Sequence, residues 1–248
     1  MEQLKNKIAL ITGGNSGIGY ATAKEFISQG AKVIITGRRK EAIEKAAQEI
    51  GAIAFVADQA NLQHTDLLRN EVENQFGKVD ILFINAGIMG TLELIENQTA
   101  ENYDNVMNIN VRGAYFTLSK LIPLLNDGAS VVMLSSNTAI MHSPNSSIYQ
   151  ASKAALNSIA KTAAAELAPR RIRVNLVSPG PIKTDIIAKS GFNEATVKSI
   201  KDHLVNEAIP LKKMGEPEDV AKLVRYLCEE SANYITGAEI IIDGGMTL

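Results

Sequence analysis

Seven short apolar runs recur along the chain: Ile8–Thr12, Lys32–Thr36, Ala52–Ala57, Ile81–Asn85, Ser130–Ser135, Arg173–Ser178 and Glu239–Ile242. Most are rich in β-branched residues and apolar at consecutive rather than alternate positions. A strand wetted on one face alternates, whereas a strand covered on both faces does not. The runs therefore predict a parallel sheet buried between two layers. Between them the apolar spacing lengthens to about 3.6, the helix period. Ile18–Gln29 carries Ile18, Ala21, Phe26 and Ile27 and stops at Gly30, and Glu41–Ile50 stops at Gly51. Pro217–Glu229 opens with a proline and two acids, Glu218 and Asp219, which suit the positive end of a helix dipole. Strand–helix alternation over residues 1–248 predicts a single α/β domain. Its doubly wound sheet has about seven parallel strands and helices on both faces. The least regular stretch is Lys183–Lys213, after Pro179-Gly180-Pro181. Its Ile186, Ile187, Val197, Ile200 and Leu204 need a partner that a ligand would supply, which predicts a mobile substrate lid at about 183–213. A plain surface insertion is the other reading.

Composition narrows the function classes. Hydrophobic residues make up 46% and charged residues 21%, a globular balance, and the net charge of -2 gives nucleic acid or anionic lipid little to hold. No apolar run approaches the ~18 residues of a membrane span, and the first residues hold no signal-peptide stretch, so a cytoplasmic location is expected. The single cysteine, Cys228, follows Val220, Leu223, Val224 and Leu227 at helical spacing and reads as packing. His64, His142 and His203 lack metal-ligand spacing, so no catalytic metal is expected. His142 lies between Ser136 and Tyr149 and either lines a substrate pocket or faces solvent.

The first strand runs into Thr12-Gly13-Gly14-Asn15-Ser16-Gly17-Ile18-Gly19 and then into a helix. Glycines at 13, 17 and 19 remove Cβ atoms from a tight turn, and a helix N-terminus there presents N–H groups and positive dipole to a pyrophosphate. Alone, such a turn is weak evidence. Thr-Gly-x-x-x-Gly-x-Gly, however, resembles the coenzyme loop of the classical short-chain dehydrogenase/reductase family, and further matches follow in order. Asn85-Ala86-Gly87 is similar to the family's Asn-Asn-Ala-Gly, with Ile84 replacing the first Asn. Asn110 matches the family's helix asparagine. Ser136 lies thirteen residues before Tyr149, as the family serine does. Tyr149-Gln150-Ala151-Ser152-Lys153 fits Tyr-x-x-x-Lys, and Ser178-Pro179-Gly180-Pro181-Ile182-Lys183-Thr184 fits the segment beside the nicotinamide. Together they cover the whole chain.

The resemblance implies a Rossmann-type fold and an oxidoreductase moving a hydride between a nicotinamide cofactor and a carbonyl or secondary alcohol. It makes Tyr149 the general acid/base, and Lys153 the residue that lowers the Tyr149 pKa and holds the nicotinamide ribose. Ser136 would bond the substrate oxygen, and Asn110 would hold a water linking Lys153 to solvent. The chemistry agrees: Tyr and Lys four apart share a helix face, and an ammonium favours the phenolate of a group that otherwise titrates near ~10. Cofactor binding falls to Gly13, Asn15, Ser16, Gly17, Ile18, Gly19, Asn85, Ala86, Gly87, Tyr149, Lys153, Pro179, Gly180, Ile182 and Thr184. Asp58 would meet the adenine, unless it only closes a strand-end turn.

The second strand ends at Gly37-Arg38-Arg39, without the acid that commonly binds free ribose hydroxyls. Arg38 and Arg39 suit a 2′-phosphate, so NADP(H) is expected over NAD(H), which stays possible. Against this, Asn15 stands where many NADP-using relatives carry a cation, and Arg38 and Arg39 also read as solvated residues opening a helix. A homotetramer is implied, pairing through helices at about 106–125 and 149–168 and the last strand. The substrate is expected to be a small free carbonyl. A 3-oxoacyl-carrier-protein reductase is the alternative, since Arg170 and Arg171 offer a patch for an acidic carrier while Asp127 would repel it. A nucleotide sensor without catalysis and an extended-type sugar epimerase fit less well, because the Asn110, Ser136, Tyr149, Lys153 set is intact and no C-terminal sugar domain follows.

Overall fold

In a computed structural model of the protein, residues 2–186 and 193–248 are described. The strands are β1 (Ile8–Thr12), β2 (Lys32–Gly37), β3 (Ile53–Val56), β4 (Val79–Ile84), β5 (Leu125–Leu134), β6 (Arg173–Pro179) and β7 (Glu239–Ile242). All neighbouring pairs are parallel, in the order β3-β2-β1-β4-β5-β6-β7. The order reverses direction between β1 and β4, which opens a crevice at the strands' carboxyl ends, where ligands of doubly wound sheets bind.

The consecutive apolar residues separate by parity. Leu10, Ile34, Leu82, Val131 and Val174 feed one core with α3 (Leu62–Phe76), α5 (Ala114–Leu121) and α6 (Ser147–Leu167). Ile11, Ile35, Ile81, Phe83 and Val132 feed a second core with α1 (Gly17–Ser28), α2 (Lys40–Ile50) and α8 (Pro217–Cys228). Neither face is left for water, so neither face needs polar residues. Cys228 is buried in the second core, as packing requires.

Helix ends follow local chemistry. Gly51 closes α2 in the left-handed region at φ 77°. Glu216 N donates to Asp219 at 3.0 Å, so one of the two acids of α8 caps the helix directly.

Three expected boundaries shift. The helix expected over 106–125 is α4 (Ala100–Met107), a π turn over Asn108–Gly113, then α5, ending at Leu121. Pro123 cannot continue an α-helix, and the chain passes through a short tight turn, Ile122–Leu124, into β5. β5 accordingly begins five residues earlier than Ser130, with a register irregularity opposite Val79 and Ile81. Within 183–213 the structure forms α7 (Glu194–His203), capped by Asn193, whose side chain accepts from Thr196 N at 2.8 Å. That helix has no buried residue, so the core pattern that reveals other helices is missing from it. Residues 187–192 of the expected lid lie outside the described residues.

Candidate active site

The glycine loop is shaped by backbone and by Asn85. Gly13 and Gly17 have φ of +68° and +55°, a region other L-residues avoid. A Cβ on Gly19 would stand 2.3 Å from the Gly13 carbonyl oxygen, so the helix enters the loop too closely for any side chain there. Asn85 Nδ2 donates to the Thr12 and Gly13 carbonyls at 2.8 and 3.1 Å, while Thr12 Oγ1 accepts from Asn85 N and Ala86 N, each at 3.0 Å. Asn85 and Ala86 thus bolt the loop to the end of β4. Ile84, in place of the family's first Asn, is simply buried in the core. Ser16 caps α1 without a side-chain hydrogen bond, and no acid lies in the first turn, so its first N–H groups stay open to an anion. Thr184 packs against Gly17, whose Cβ would stand 3.1 Å from its methyl group. This cradle fits the pyrophosphate of a nicotinamide dinucleotide.

The expected residues then divide. One cavity of about 270 Å³ is lined by Ile18, Asn85, Gly87, Ser136, Tyr149 and Lys153 on one side, and by Pro179, Gly180, Ile182 and Thr184 on another. Asn15, Ser16, Arg38, Arg39 and Asp58 lie outside it, on loops past the strand ends. Asn15 still reaches Gly37, the last residue of β2, where a Cβ would be 3.2 Å from its Oδ1. Arg38 and Arg39 are exposed and in no ion pair among the described residues. Asp58 closes a turn by accepting from Ala60 N at 3.0 Å, and its N–H donates to His64 Nδ1. His142 is exposed and does not line the cavity, so it takes the solvent-facing reading.

Around the reacting groups, Ser136 ends the strand-to-turn segment after β5 and Tyr149 lies in the first turn of α6. Tyr149 and Ser136 line the same cavity, and the Ser136 side chain acts on the Tyr149 phenol in favour of its ionised form. Ser136 Oγ also accepts from Thr138 N at 3.2 Å and lies 3.4 Å from the Pro179 carbonyl. Lys153 Nζ sits 5.7 Å from the Tyr149 ring centre and donates to the Leu134 carbonyl at 2.8 Å.

The protonation pattern departs from expectation. Burial pushes the Tyr149 phenol up to about 12, against the Ser136 side chain, which favours ionisation. Burial pulls Lys153 down to about 8. Both charged forms lose their water, and in the ligand-free site this outweighs the attraction that the spacing suggested.

Asn110 is held firmly beside the site. It lies in the π turn, and both N–H groups of its amide are taken, by the Ile88 carbonyl at 2.8 Å and Ser152 Oγ at 3.0 Å. Its Oδ1 accepts from Ile88 N at 2.9 Å. The side chain is therefore a clamp between the segment after β4 and α6, beside the site. Gly87 keeps the passage between them free: a Cβ there would be 3.2 Å from Asn110 Oδ1 and 3.5 Å from Lys153 Nζ.

Sequence reasoning missed Leu92, Asn137 and Met246, which also line the cavity. A signal for the last was available in Asp243-Gly244-Gly245, a turn sequence that sends the chain back on itself. Among the described residues no group of three or more His, Cys, Asp or Glu gathers as for a metal, and no helix is long and apolar enough to cross a membrane.

Comparison with known proteins agrees with this geometry. A family model described as "Enoyl-(Acyl carrier protein) reductase" matches residues 13–247. Human "Dehydrogenase/reductase SDR family member 4" is 34% identical, over 98% of this chain and 88% of its own. The "NADP-dependent (R)-specific alcohol dehydrogenase" of Lentilactobacillus kefiri is 35% identical, over 99% of this chain and 98% of its own. The crystal structure of a "3-ketoacyl-(acyl-carrier-protein) reductase" from Brucella melitensis, complexed with NADH, superposes with a TM-score of 0.90. Its identity is 35%, covering 99% of this chain and 100% of that one. A family model matched over residues 13–247, and full-length relatives at about a third identity, show that the chain belongs to the short-chain dehydrogenase/reductase family of oxidoreductases.

Proposed function

We propose that the protein interconverts a small free ketone or aldehyde and the corresponding alcohol, with Tyr149 as general acid/base. The observation carrying this is that Ser136, Tyr149 and Lys153, all buried, line one largely apolar cavity next to the glycine cradle. A nicotinamide bound in that cradle supplies or accepts the hydride. Ser136 and Tyr149 both direct hydroxyls at a carbonyl oxygen placed between them, and the phenol protonates it as charge develops there. Its high pKa keeps Tyr149 protonated and ready to donate at neutral pH. In the reverse direction Lys153, when protonated, favours the phenolate that must accept the alcohol's proton. Asn110 positions Lys153 indirectly by fixing Ser152 and the Ile88 segment. Replacing Tyr149 by Phe keeps the ring and removes the proton. Turnover is expected to fall by ~10² to 10⁴ with coenzyme binding retained by fluorescence titration; near-normal turnover in the folded variant would sink the assignment.

NADPH is the preferred coenzyme in this reading, supported by the exposed Arg38 and Arg39, which form no ion pair among the described residues, and by the absence of an acid at the end of β2. A free carbonyl is favoured over a carrier-bound thioester because Arg170 is committed internally. It pairs with Asp127 at 2.9 Å and donates to the Ile122 and Leu125 carbonyls. Only Arg171 of the two arginines then remains to meet an acidic carrier, and clear preference for an acetoacetyl-carrier thioester over simple ketones would reverse this choice. Assembly as a homotetramer is supported by Tyr115 on α5, about half exposed within the 106–125 stretch expected to pair.

A further inference from the structure

The far side of the cavity has a distinct chemistry. Met89 comes from the segment after β4, Met141 from the segment after β5, and Met246 from the C-terminal tail, so three of the chain's seven methionines line one cavity. Ile200 from α7 and Leu204, just past its end, also line the cavity. Among the described residues the lining holds no acid, arginine or histidine, and its one amine, Lys153, is already bonded to Leu134. Tyr149 is the one aromatic residue among them, so no flat slot for a planar heterocycle is formed. The remaining polar groups are largely committed: Thr138 donates to Ser136 at 2.9 Å, and Asn137 donates to Asp243 at 3.4 Å.

Met246 is brought in by a tail built on one carboxylate. Asp243 accepts from Gly245 N at 2.9 Å and Thr247 Oγ1 at 2.8 Å, besides Asn137, which immediately follows Ser136. Gly244 and Gly245 have φ of +66° and +88° and turn the chain back. The Ile242 carbonyl accepts from Gly180 N at 3.0 Å and the Gly244 carbonyl from Leu211 N at 3.1 Å, so the tail is pinned to two separate segments.

From this we infer that the substrate is a neutral, predominantly aliphatic or alicyclic ketone or secondary alcohol, that Met246 is a specificity-determining wall for it, and that Asp243 is the positioning residue for Met246. The inference rests on the reading of Ser136 and Tyr149 as the pair that handles the carbonyl. A carboxylate or phosphate on the substrate would be buried against thioethers without a partner, and the hydroxyls of a sugar would find few free groups. Unbranched, polarizable methionine side chains repack around aliphatic rings of differing shape.

The test uses the full chain with saturating coenzyme and three ketones of similar size: alicyclic, carboxylate-bearing and polyhydroxylated. The alicyclic ketone is expected to exceed both others in kcat/KM by at least about 100-fold. Met246→Lys, which supplies a counter-ion, should narrow the alicyclic-to-carboxylate ratio by about tenfold or more, while Met246→Leu keeps it close to wild type. If Met246→Lys does not fold by circular dichroism, Met141→Lys carries the same test. Asp243→Asn should raise KM for the alicyclic ketone far more than for acetone, with kcat changed less than KM, a split that general loosening of the fold would not produce. Preference for the charged or polyhydroxylated ketone, or a ratio unmoved by the lysine variants, overturns the inference and leaves the carbonyl reading intact. Coenzyme binding without turnover of any carbonyl or alcohol would overturn the reading of the site itself, and the inference with it.

Discussion

Replacing Lys153 by Met is expected to stabilise the ligand-free protein while removing its activity. Lys153 is 4% exposed, and its ammonium is pulled from 10.5 down to about 8 by burial. Such a drop corresponds to roughly 3 kcal/mol that the folded state gives up to keep the amine protonated at pH 7. Methionine has a similar length and no charge. Its one clear loss is the hydrogen bond to the Leu134 carbonyl, worth about 1 kcal/mol. The net gain is then about 2 kcal/mol, which in a chain of this size raises Tm by roughly 4–8 °C. The effect has a pH signature. Between about 8 and 10.5 the unfolded chain still binds the proton that the folded chain has released, so wild-type stability rises with pH through that window. The advantage of Lys153→Met is therefore complete at pH 7 and disappears by about pH 10.5. Calorimetry on both proteins without coenzyme, at both pH values, reads this directly. A variant no more stable than wild type at pH 7, or one whose advantage persists unchanged at pH 10.5, would refute the claim that burial of the charge dominates at this position.

Three further outcomes are expected. Wild-type kcat/KM with NADPH over NADH should exceed one, and Arg38→Asp should lower that ratio by about tenfold or more, since it replaces a cation just past the end of β2 by an anion; a wild-type ratio below one, or a ratio unmoved by the variant, rejects the Arg38 assignment. Sedimentation at micromolar concentration should give a tetramer, and a single species at monomer mass contradicts it. Amide exchange across residues 193–213 should slow when coenzyme and a substrate analogue bind, because Ile200 and Leu204 line the cavity while no residue of α7 is buried without ligand; slow exchange indifferent to ligand removes the lid.

Local chemistry wrote much of this molecule into its sequence. Consecutive apolar residues in β1, β2, β4 and β6 required cover on both faces, and the glycines at 13, 17 and 19 marked a place where backbone must approach backbone. Both are short-range demands, satisfied or violated by neighbours within a few residues. The helix α7 escaped the same reading because none of its residues is buried in a core, Ile200 lining the cavity instead, and such a helix shows a weaker pattern. Pro123 stood in plain view inside the helix expected to reach residue 125, and its missing N–H ended that helix early.

What the fold alone decided depends on distance and on water. Arg170 read as an exposed docking cation until the fold set it against Asp127, 43 residues away. Met89, Met141 and Met246 are unremarkable singly and become one wall only because β4, β5 and the tail end at the same edge of the sheet. The spacing of Tyr149 and Lys153 set them on one helix face, and burial alone pushes the phenol the opposite way from a neighbouring ammonium. Sequence shows which charges are near each other; only the packed structure shows how much solvent they have lost, and here that loss moves the proton equilibria of both groups more than their proximity does.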